Sequence, residues 1–561
     1  MGFNKNQQAS VCFFFFVFLF FGFSLSKEVS NCEKEELRIK FNKHSSKQYE
    51  DIVDSLLKNV TKKDILKYKE AKIVSYSDFG AKGDGKTDDI NAIVATHEFA
   101  NKYGLKVKAN DAATYYISGK QHTVNIQTST DFGLANFIID DTNVENPKAS
   151  VFEVNSKHKS FKLGSIHSLK KNQKKIEVST PTNCLVIVTN ASKKQYIRFG
   201  LNQNNGHSQT DIFLIDTHGK IDDSTPILWD FDTITNIQAF PIDDEVLKIT
   251  GGRFTTMANK EVSKYNYYQR NIRIKRSNVI VDGLAHYVVG EENQGAPYGG
   301  FLFIRDCANI TVKNTILTAH KTYKTIGNAG EPVSMGTYDL QVNNSSNVLL
   351  FNCTQTNDIK DGTYWGIMAS NYSKNLTYDT CVLSRFDAHM GVYNATIRNS
   401  TLGHAGINLI GFGTFRLENS KVFSNRLINL RRDYGSTWQG NFIIRNCIFV
   451  PSISKENPSI TNLFIGFNNG EHDFGYTCYM PQKISIENLY IDDSKHLREN
   501  KLITIFDDFN PKFDTLFKEK FPYIKTKKII LKNVTTASGK IIKVSENLYM
   551  FNHIKVKTIK K

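Results

Sequence analysis

The chain has 561 residues, of which 40% are hydrophobic and 22% are charged, and its formal net charge is +16. This length is too great for one ordinary compact core, but a single repeat solenoid can reach it. The basic excess favours an anionic partner, although a lysine-rich solvated surface would give the same excess.

Residues 1–26 have the features of a secretory signal peptide. Lys5 precedes an apolar run over 11–23, and Ser24 and Ser26 fit a cleavage site before residue 27. The run is short for a membrane span, and an uncleaved signal anchor is the alternative. We therefore expect an exported protein, periplasmic or otherwise secreted, without stable membrane insertion. Its expected partner is an acidic oligosaccharide or polysaccharide and not nucleic acid.

Residues 27–72 are predicted to form an N-terminal helical segment. The stretches YEDIVDSLLKNV and KKDILKYKEA within it carry apolar residues at helical spacing. A short apolar strand and a glycine-rich turn follow. A second helix is then expected to start near Asp89, where Thr87 or Asp88 can cap it. Residues 110–275 alternate short strands with polar turns, which we interpret as early solenoid turns with inserted hairpins.

The second half repeats one short pattern. Each copy is a strand with period-two alternation, then Asn, Asp or Thr at a bend, then a small or sulfur-containing residue. Copies begin at Asn309, Asn347, Asn375, Asn394, Thr414, Asn441, Lys483 and Lys528. A short strand-and-bend unit that recurs in this way predicts a β-solenoid.

The turn DFGAKGDGKTDD, together with these repeats, resembles the N-terminal signature of the pectate-lyase and polygalacturonase superfamily of right-handed parallel β-helices. This resemblance implies the fold and says little about the reaction. The predicted fold class is therefore all-β. It is a single-stranded right-handed parallel β-helix over residues 73–561, with an N-terminal helical cap and inserted loops.

The cysteines do not indicate a metal cluster. Seven of the eight follow the signal peptide, and none forms a CxxC pair. Cys353, Cys381 and Cys447 occupy the same slot of the repeat as Thr315, Ser400 and Ser420. We therefore expect them to be small buried residues stacked in the solenoid.

Candidate site residues lie in four strand-like runs that begin at Thr363, Phe386, Gly403 and Leu427. Alternation assigns one face of each run to the core. The core set is Trp365, Ile367, Ala369, Ala388, Met390, Val392, Ala405, Ile407, Leu409, Ile428 and Leu430. The opposite face concentrates His, Tyr, Asp, Asn and Arg, which suits a site better than a plain structural ladder.

Alignment of one glycine in each of the first three runs places Tyr364, His389 and His404 in one vertical file. Tyr393 and Asn408 then share the next file. Successive turns of a parallel β-helix lie about 4.8 Å apart, so two histidines in one file could contact the same sugar. A ladder of purely structural histidines is the alternative.

Elimination on a uronic acid needs neutralisation of the carboxylate, a base at C5 and an acid for the group that leaves C4. The predicted catalytic residues, acting as base and acid, are His389, His404 and Tyr393. The predicted substrate-binding residues are Arg431, Arg432, Asn408, Tyr364, Asp387 and Tyr434. No cofactor or metal site is predicted, and the sequence leaves the use of a divalent cation open.

The whole pattern also resembles the β-helix proteins of bacterial polysaccharide-utilisation systems. Within that group it is similar to ulvan-type oligosaccharide dehydratases, which implies loss of water from a uronate. Loss of a sugar would make the enzyme a polysaccharide lyase.

Two other functions stay open. Polygalacturonases carry acidic, Gly-His-Gly and Arg-x-Lys motifs in an order that Asp358, Asp387, His404 and Arg431 partly follow. Asp387 has no second Asp beside it, the histidine motif reads GHAG, and Arg-x-Lys is absent. An inverting hydrolase needs two carboxyl groups, so these departures weaken the hydrolase reading. A non-catalytic glycan-binding solenoid is the other alternative.

Overall fold

The computed structural model describes residues 47–452, 462–496, 503–507, 509, 518–547, 551 and 553–559. The chain divides into two units, Met1–Asp51 and Ile52–Lys561. Of the first unit only 47–51 are described, and they are helical. The predicted signal peptide therefore lies outside the described residues. No helix in the described ranges is long and apolar enough to cross a membrane.

The second unit begins with helical residues 52–58 and a helix over Lys62–Ala71. Thr61 and Asp64 form a capping box at the start of this second helix. The Thr61 hydroxyl accepts from the Asp64 amide at 3.2 Å, and the Asp64 carboxylate accepts from the Thr61 amide at 3.1 Å. The helical spacing read from the sequence thus falls on helical residues.

The glycine-rich turn leads into a helix over Ile90–Tyr103, whose apolar face is buried. The Asp88 side chain accepts from the amide of residue 90 at 3.3 Å. Asp89 is the N-cap residue, but its carboxylate accepts from the amides of Lys82 and Gly83 at 2.6 and 3.0 Å. The turn is therefore fastened to the start of the helix that it precedes.

Three parallel sheets form the body of the second unit, and seven long strands bend from one sheet into another. The first sheet contains Ile73–Ser75, Lys106–Lys108, Thr130–Asp140, Leu247–Met257, Val279–Asp282, Ala308–Lys313, Ser346–Phe351, Lys374–Asp379, Val382–Arg398, Thr401–Glu418, Trp438–Pro451, Lys483–Ile491, Lys528–Thr536 and Lys555–Ile559.

The second sheet adds Asp84–Asp88, Thr114–Ile117, Ala285–Val289, Ile316–Leu317, Thr354–Gln355 and Lys421–Ser424. The third adds Val124–Ile126, Phe152–Val154, Ile272–Ile274, Gly299–Arg305, Tyr338–Asn343, Met368–Asn371, Ile428–Leu430, Asn462–Ile465, Ile503–Phe506 and Ile542–Lys543. The predicted all-β parallel β-helix is confirmed.

Side-chain ladders run along the bends of the solenoid. Asparagines on successive turns donate Nδ2 to the Oδ1 of the turn before, at 2.7–3.3 Å, with φ between 48° and 60°. Asparagine tolerates this left-handed conformation better than most residues, which explains its recurrence at the bends. One ladder contains Asn278, Asn309, Asn347, Asn375 and Asn394. The other begins with Asn314 and Asn352 and continues with Asn399, Asn419, Asn446, Asn488 and Asn533.

Charges also alternate along one outward file of the first sheet. The paired positions are Asp379, Arg398, Glu418, Arg445, Glu487 and Lys532. The Asp379–Arg398 ion pair is 2.8 Å long, and the Glu418–Arg445 pair is 3.9 Å long. Exposed pairs of this kind each contribute little to stability. A slipped register would separate the opposite charges, so the ladder favours the observed pairing.

Rows of aliphatic and aromatic side chains fill the interior between the three sheets. The slot predicted for small residues is buried as expected. It contains Thr315, Cys353, Cys381, Ser400, Ser420 and Cys447, each no more than 5% exposed. All six described cysteines are buried free thiols.

A separate antiparallel sheet interrupts the early turns. It contains Phe161–Lys162, Cys184–Gln195, His207–Ile215 and Asn236–Pro241, and it has its own apolar core. The sequence analysis expected inserted hairpins among the early solenoid turns, and Cys184–Gln195 pairs with His207–Ile215 as one of them. The Lys374 ammonium joins the insert to the β-helix through a buried 2.9 Å ion pair with Asp211. A short hairpin, Lys324–Ile326 with Pro332–Ser334, completes the strands.

Candidate active site

A cavity of about 1040 Å³ opens on the outer face of the third sheet. Its lining includes Tyr364, His389, His404, Asn408, Arg431 and Arg432, all of them predicted site residues. The remaining lining includes Arg198, Tyr265, Tyr267, Tyr338, Trp365, Arg385, Asn429, Asp433 and Asp507. The face chosen from the sequence is therefore the face that carries the cavity.

The predicted vertical file of His389 and His404 is wrong. Strand pairing aligns Arg385 with Gly406 and residue 387 with Asn408, which in turn pairs with Asn429. Gly366, Gly391 and Gly406, which the sequence alignment placed side by side, are therefore not neighbours in the sheet. The two histidines line the same cavity without occupying the same file.

Two bulges in adjacent strands produce this arrangement. Opposite Leu383 to Arg385, the partner strand Thr401–Glu418 contains two more residues than the strand Val382–Arg398. His404 lies in this excursion. Between Ala388 and Val392 the earlier strand holds the two extra residues, and His389 lies there. Bulges turn side chains out of the regular pleat and are frequent beside active sites. Each histidine is thus directed by its own bulge.

The His389 ring has a defined hydrogen-bonding partner. Its Nδ1 lies 2.8 Å from Oδ1 of Asn371, whose Nδ2 donates to Oδ1 of Asn343 at 3.0 Å. The amide oxygen of Asn371 can only accept, so Nδ1 carries the ring proton and Nε2 has the free lone pair. Burial lowers the pKa of His389 well below 6.5, and the Arg431 guanidinium adds to this effect. His389 is therefore a neutral imidazole with a fixed tautomer.

The second histidine is also held neutral. Burial lowers the pKa of His404, the Asp361 carboxylate opposes that shift, and the Arg385 guanidinium reinforces it. Its Nε2 is buried and has no hydrogen-bond partner among the described residues. The side-chain amide of Asn371 orients the His389 ring, whereas the His404 ring is hydrogen-bonded to the backbone of Tyr364.

Alternating charges form a chain behind the histidines. Arg385 Nη2 donates to Asp387 at 2.5 Å, and Arg431 Nη1 lies 3.7 Å from the same carboxylate oxygen. Arg431 also donates twice to Asp433, at 3.1 and 2.8 Å, and Arg198 of the insert lies 2.8 Å from it. Burial raises the pKa of Asp433, but the Arg431 and Arg198 guanidiniums together keep it well below its usual value of 3.8. Asp433 is therefore ionised.

Three predicted site residues do not line the cavity. Asp387 is fully buried beneath the arginines, and Tyr434 is buried with its ring 5.4 Å from the ring of His389. Tyr393 pairs with Phe412 in the first sheet, and Lys374 lies over its ring at 5.8 Å. The geometry therefore offers Tyr393 no place in the cavity.

Three residues assigned to the core lie elsewhere. Trp365 and Ala405 line the cavity, although alternation placed them inside. Met390 packs with Tyr196 and Ile410 in a separate cluster and not in the central core. The other predicted core residues of these runs are buried.

Sequence reasoning missed Arg385, Tyr338 and Arg198. Arg385 lies two residues before Asp387, on the outward face by the same alternation, so its position was available from the pattern. Tyr338 begins the third-sheet strand Tyr338–Asn343, one turn before the strand Met368–Asn371. Arg198 comes from the insert, and no local signal connects it to this site.

A metal site is not evident in the described part of the chain. Within those ranges no group of three or more His, Cys, Asp or Glu side chains is placed to hold an ion. The use of a divalent cation stays open, as it was from the sequence.

No protein-family model matches the chain. A curated relative, the capsule KL64-specific depolymerase of a Klebsiella phage, is 30% identical over 134 residues, which cover 20% of this chain and 13% of that relative. The chain thus matches only a small part of that relative's length.

Solved structures with similar arrangements come from phages and an enzyme. The tailspike gp61 of Pseudomonas phage phi297 has 12% identity and a TM-score of 0.48, covering 86% of this chain and 84% of its own. A tailspike of Acinetobacter baumannii bacteriophage AP22, solved with an A. baumannii capsular saccharide, has 11% identity and a TM-score of 0.47, covering 84% and 77%. A GH87 alpha-1,3-glucanase catalytic domain has 10% identity and a TM-score of 0.29, covering 71% and 89%.

Proposed function

We propose that this chain is an exported enzyme that degrades an acidic polysaccharide or its oligosaccharides by elimination at a uronic acid residue. The observation that carries the proposal is the cavity, where two neutral imidazoles stand beside four arginines. Arg198, Arg385, Arg431 and Arg432 outnumber the lining carboxylates, Asp433 and Asp507. A cavity with this excess of positive charge suits an anionic sugar.

The reaction assigns a role to the fixed tautomer of His389. Its Nε2 removes the proton at C5, the electron pair of that bond forms the C4=C5 double bond, and the C4–O bond breaks. The leaving oxygen takes a proton from Tyr338, because the neutral imidazole of His404 has no acidic proton to give. Burial raises the pKa of Tyr338, so its phenol is protonated at neutral pH and able to donate.

The arginines make the C5 proton removable. Charge that develops on the uronate during proton loss is stabilised by a guanidinium that is already in place. A dehydratase and a lyase share these steps and differ only in whether water or a sugar leaves C4. The resemblance to ulvan-type dehydratases favours water, and the name of the depolymerase relative favours a polymer substrate.

Hydrolysis has less support from the cavity. An inverting hydrolase needs a protonated carboxyl group as its acid. Asp433 is held ionised by Arg431 and Arg198, and Asp387 lies buried in ion pairs. Neither carboxylate is set up to donate a proton to a glycosidic oxygen.

The test is incubation of the full chain with uronate-containing oligosaccharides, including ulvan fragments. Elimination produces the ultraviolet absorbance of an unsaturated uronate, and product masses separate loss of water from chain cleavage. His389→Ala is expected to abolish the signal, whereas His218→Ala, at an exposed position, should not change it. New reducing ends without absorbance would indicate a hydrolase, and binding without any product would indicate a glycan-binding solenoid.

A further inference from the structure

Arg385 lies in the cavity wall with a hydrogen-bond donor left over. Its side chain is 8% exposed and lines the cavity, in the third-sheet part of the strand Val382–Arg398. Nη2 donates to Asp387, whereas Nε is buried and has no partner among the described residues. A buried charged donor without an acceptor is costly, so the guanidinium of Arg385 is only partly compensated by the protein.

The Arg385 side chain is held in place before any ligand arrives. Its guanidinium carbon lies 5.1 Å from the ring centre of Trp365. A Cβ at Gly366 would come within 2.1 Å of Arg385 Cδ and 2.4 Å of Arg385 Cβ. Glycine at 366 therefore provides the space through which the arginine stem passes. Packing of this kind gives a binding group its orientation in advance.

Arg431, the residue that the sequence favoured for anion binding, is already occupied. Its Nε and Nη2 donate to Asp433, and its Nη1 lies 3.7 Å from Asp387. Its positive charge is paired with two carboxylates of the protein. Arg431 therefore holds the charge chain together by facing two carboxylates, whereas Asp387 is the one carboxylate that pairs with Arg385 in the described part of the chain.

We propose that Arg385, stacked on Trp365 and passing over Gly366, is the guanidinium that binds the substrate carboxylate. This assignment rests on the proposed function only in requiring an acidic glycan. The position of Arg385 is suitable because its charge acts on both histidines and lowers the pKa of each.

The test compares an acidic oligosaccharide with its carboxyl-reduced counterpart by calorimetric titration of the full chain. Arg385→Gln should weaken binding of the acidic glycan by roughly 10- to 100-fold and leave the reduced glycan unaffected. Arg385→Lys should not restore affinity, because a point charge lacks the planar fork. Arg416→Gln, on an outward position of the first sheet, is the matched control.

Two further variants guard against a folding defect, since Arg385→Gln leaves the buried Asp387 carboxylate less compensated. Arg385→Gln combined with Asp387→Asn removes both charges together, and Gly366→Ala displaces the arginine without removing it. Both should show the same selective loss. Equal loss for the two glycans, or equal affinity of the unaltered protein for both, would overturn the assignment. Selective carboxylate binding without formation of unsaturated uronate would leave it standing and remove only the elimination reaction.

Discussion

The hydrogen bond from His389 to Asn371 can be tested by Asn371→Asp. The replacement puts a carboxylate where an amide oxygen now lies 2.8 Å from Nδ1. At a charge separation of about 4 Å and an effective dielectric constant of about 20, a carboxylate attracts an imidazolium by about 4 kcal/mol. Since about 1.4 kcal/mol corresponds to a factor of ten, the pKa of His389 should rise by about 3. His389 would then be largely protonated, and unable to act as a base, at a higher pH than before.

The assay is the pH dependence of kcat/KM, measured from unsaturated uronate formation. The acidic limb of the profile should move to higher pH, and activity should recover as pH rises through the new pKa. Loss of the Asn371–Asn343 hydrogen bond is expected to cost only about 1 kcal/mol of stability. Asn347→Asp, in an asparagine ladder at a bend, is the control. An unchanged acidic limb in a folded, active Asn371→Asp variant would refute the assignment of Nε2 as the base.

Other predictions follow from the same geometry. Tyr393→Phe should leave turnover unchanged, because this phenol lies outside the cavity; a large loss would contradict the placement. Lys374→Ala should lower the free energy of unfolding in urea by about 3–5 kcal/mol, because it leaves the Asp211 carboxylate buried without its cation. Burial opposes protonation of His320, but the carboxylates around it raise its pKa from 6.5 to about 10. Because the folded protein binds this proton more tightly than the unfolded chain, protonated His320 adds up to about 5 kcal/mol to the free energy of unfolding. This contribution is complete below pH 6.5 and is lost as the pH rises to about 10. Urea unfolding at both ends of that window should show the loss, and His320→Gln should diminish it.

Much of the fold could be predicted because the solenoid repeats its own chemistry. Asparagine at the bends, small residues in the slot of Cys353 and Cys381, and period-two strands are each local signals with a physical cause. The insert that supplies Arg198 has no such signal. Its strands have the same apolar composition as solenoid strands, and only pairing distinguishes an antiparallel sheet from a coil of the β-helix.

The choice of face succeeded and the choice of register failed for one reason. Alternation has a period of two, so an insertion of two residues leaves the side chains beyond the insertion on their original faces. Bulges at His404 and His389 are insertions of that size, and they shift the vertical alignment without changing inward and outward parity. A method that counts parity can therefore find the outward histidines but cannot find their neighbours.

The same bulges explain how two histidines can serve one ligand. In a regular β-helix, neighbours in one file point in parallel from strands about 4.8 Å apart, and neither turns toward the other. Here the extra residues at His389 belong to the strand Val382–Arg398, and those at His404 belong to the strand Thr401–Glu418. The regular pleat is therefore broken at two different positions along this pair of strands. Gly391 and Gly406 take left-handed conformations, with φ of 63° and 58°, where those excursions end. The irregular positions, and not the repeat, therefore place the chemistry, and the charge chain from Arg385 to Arg198 lies beside them.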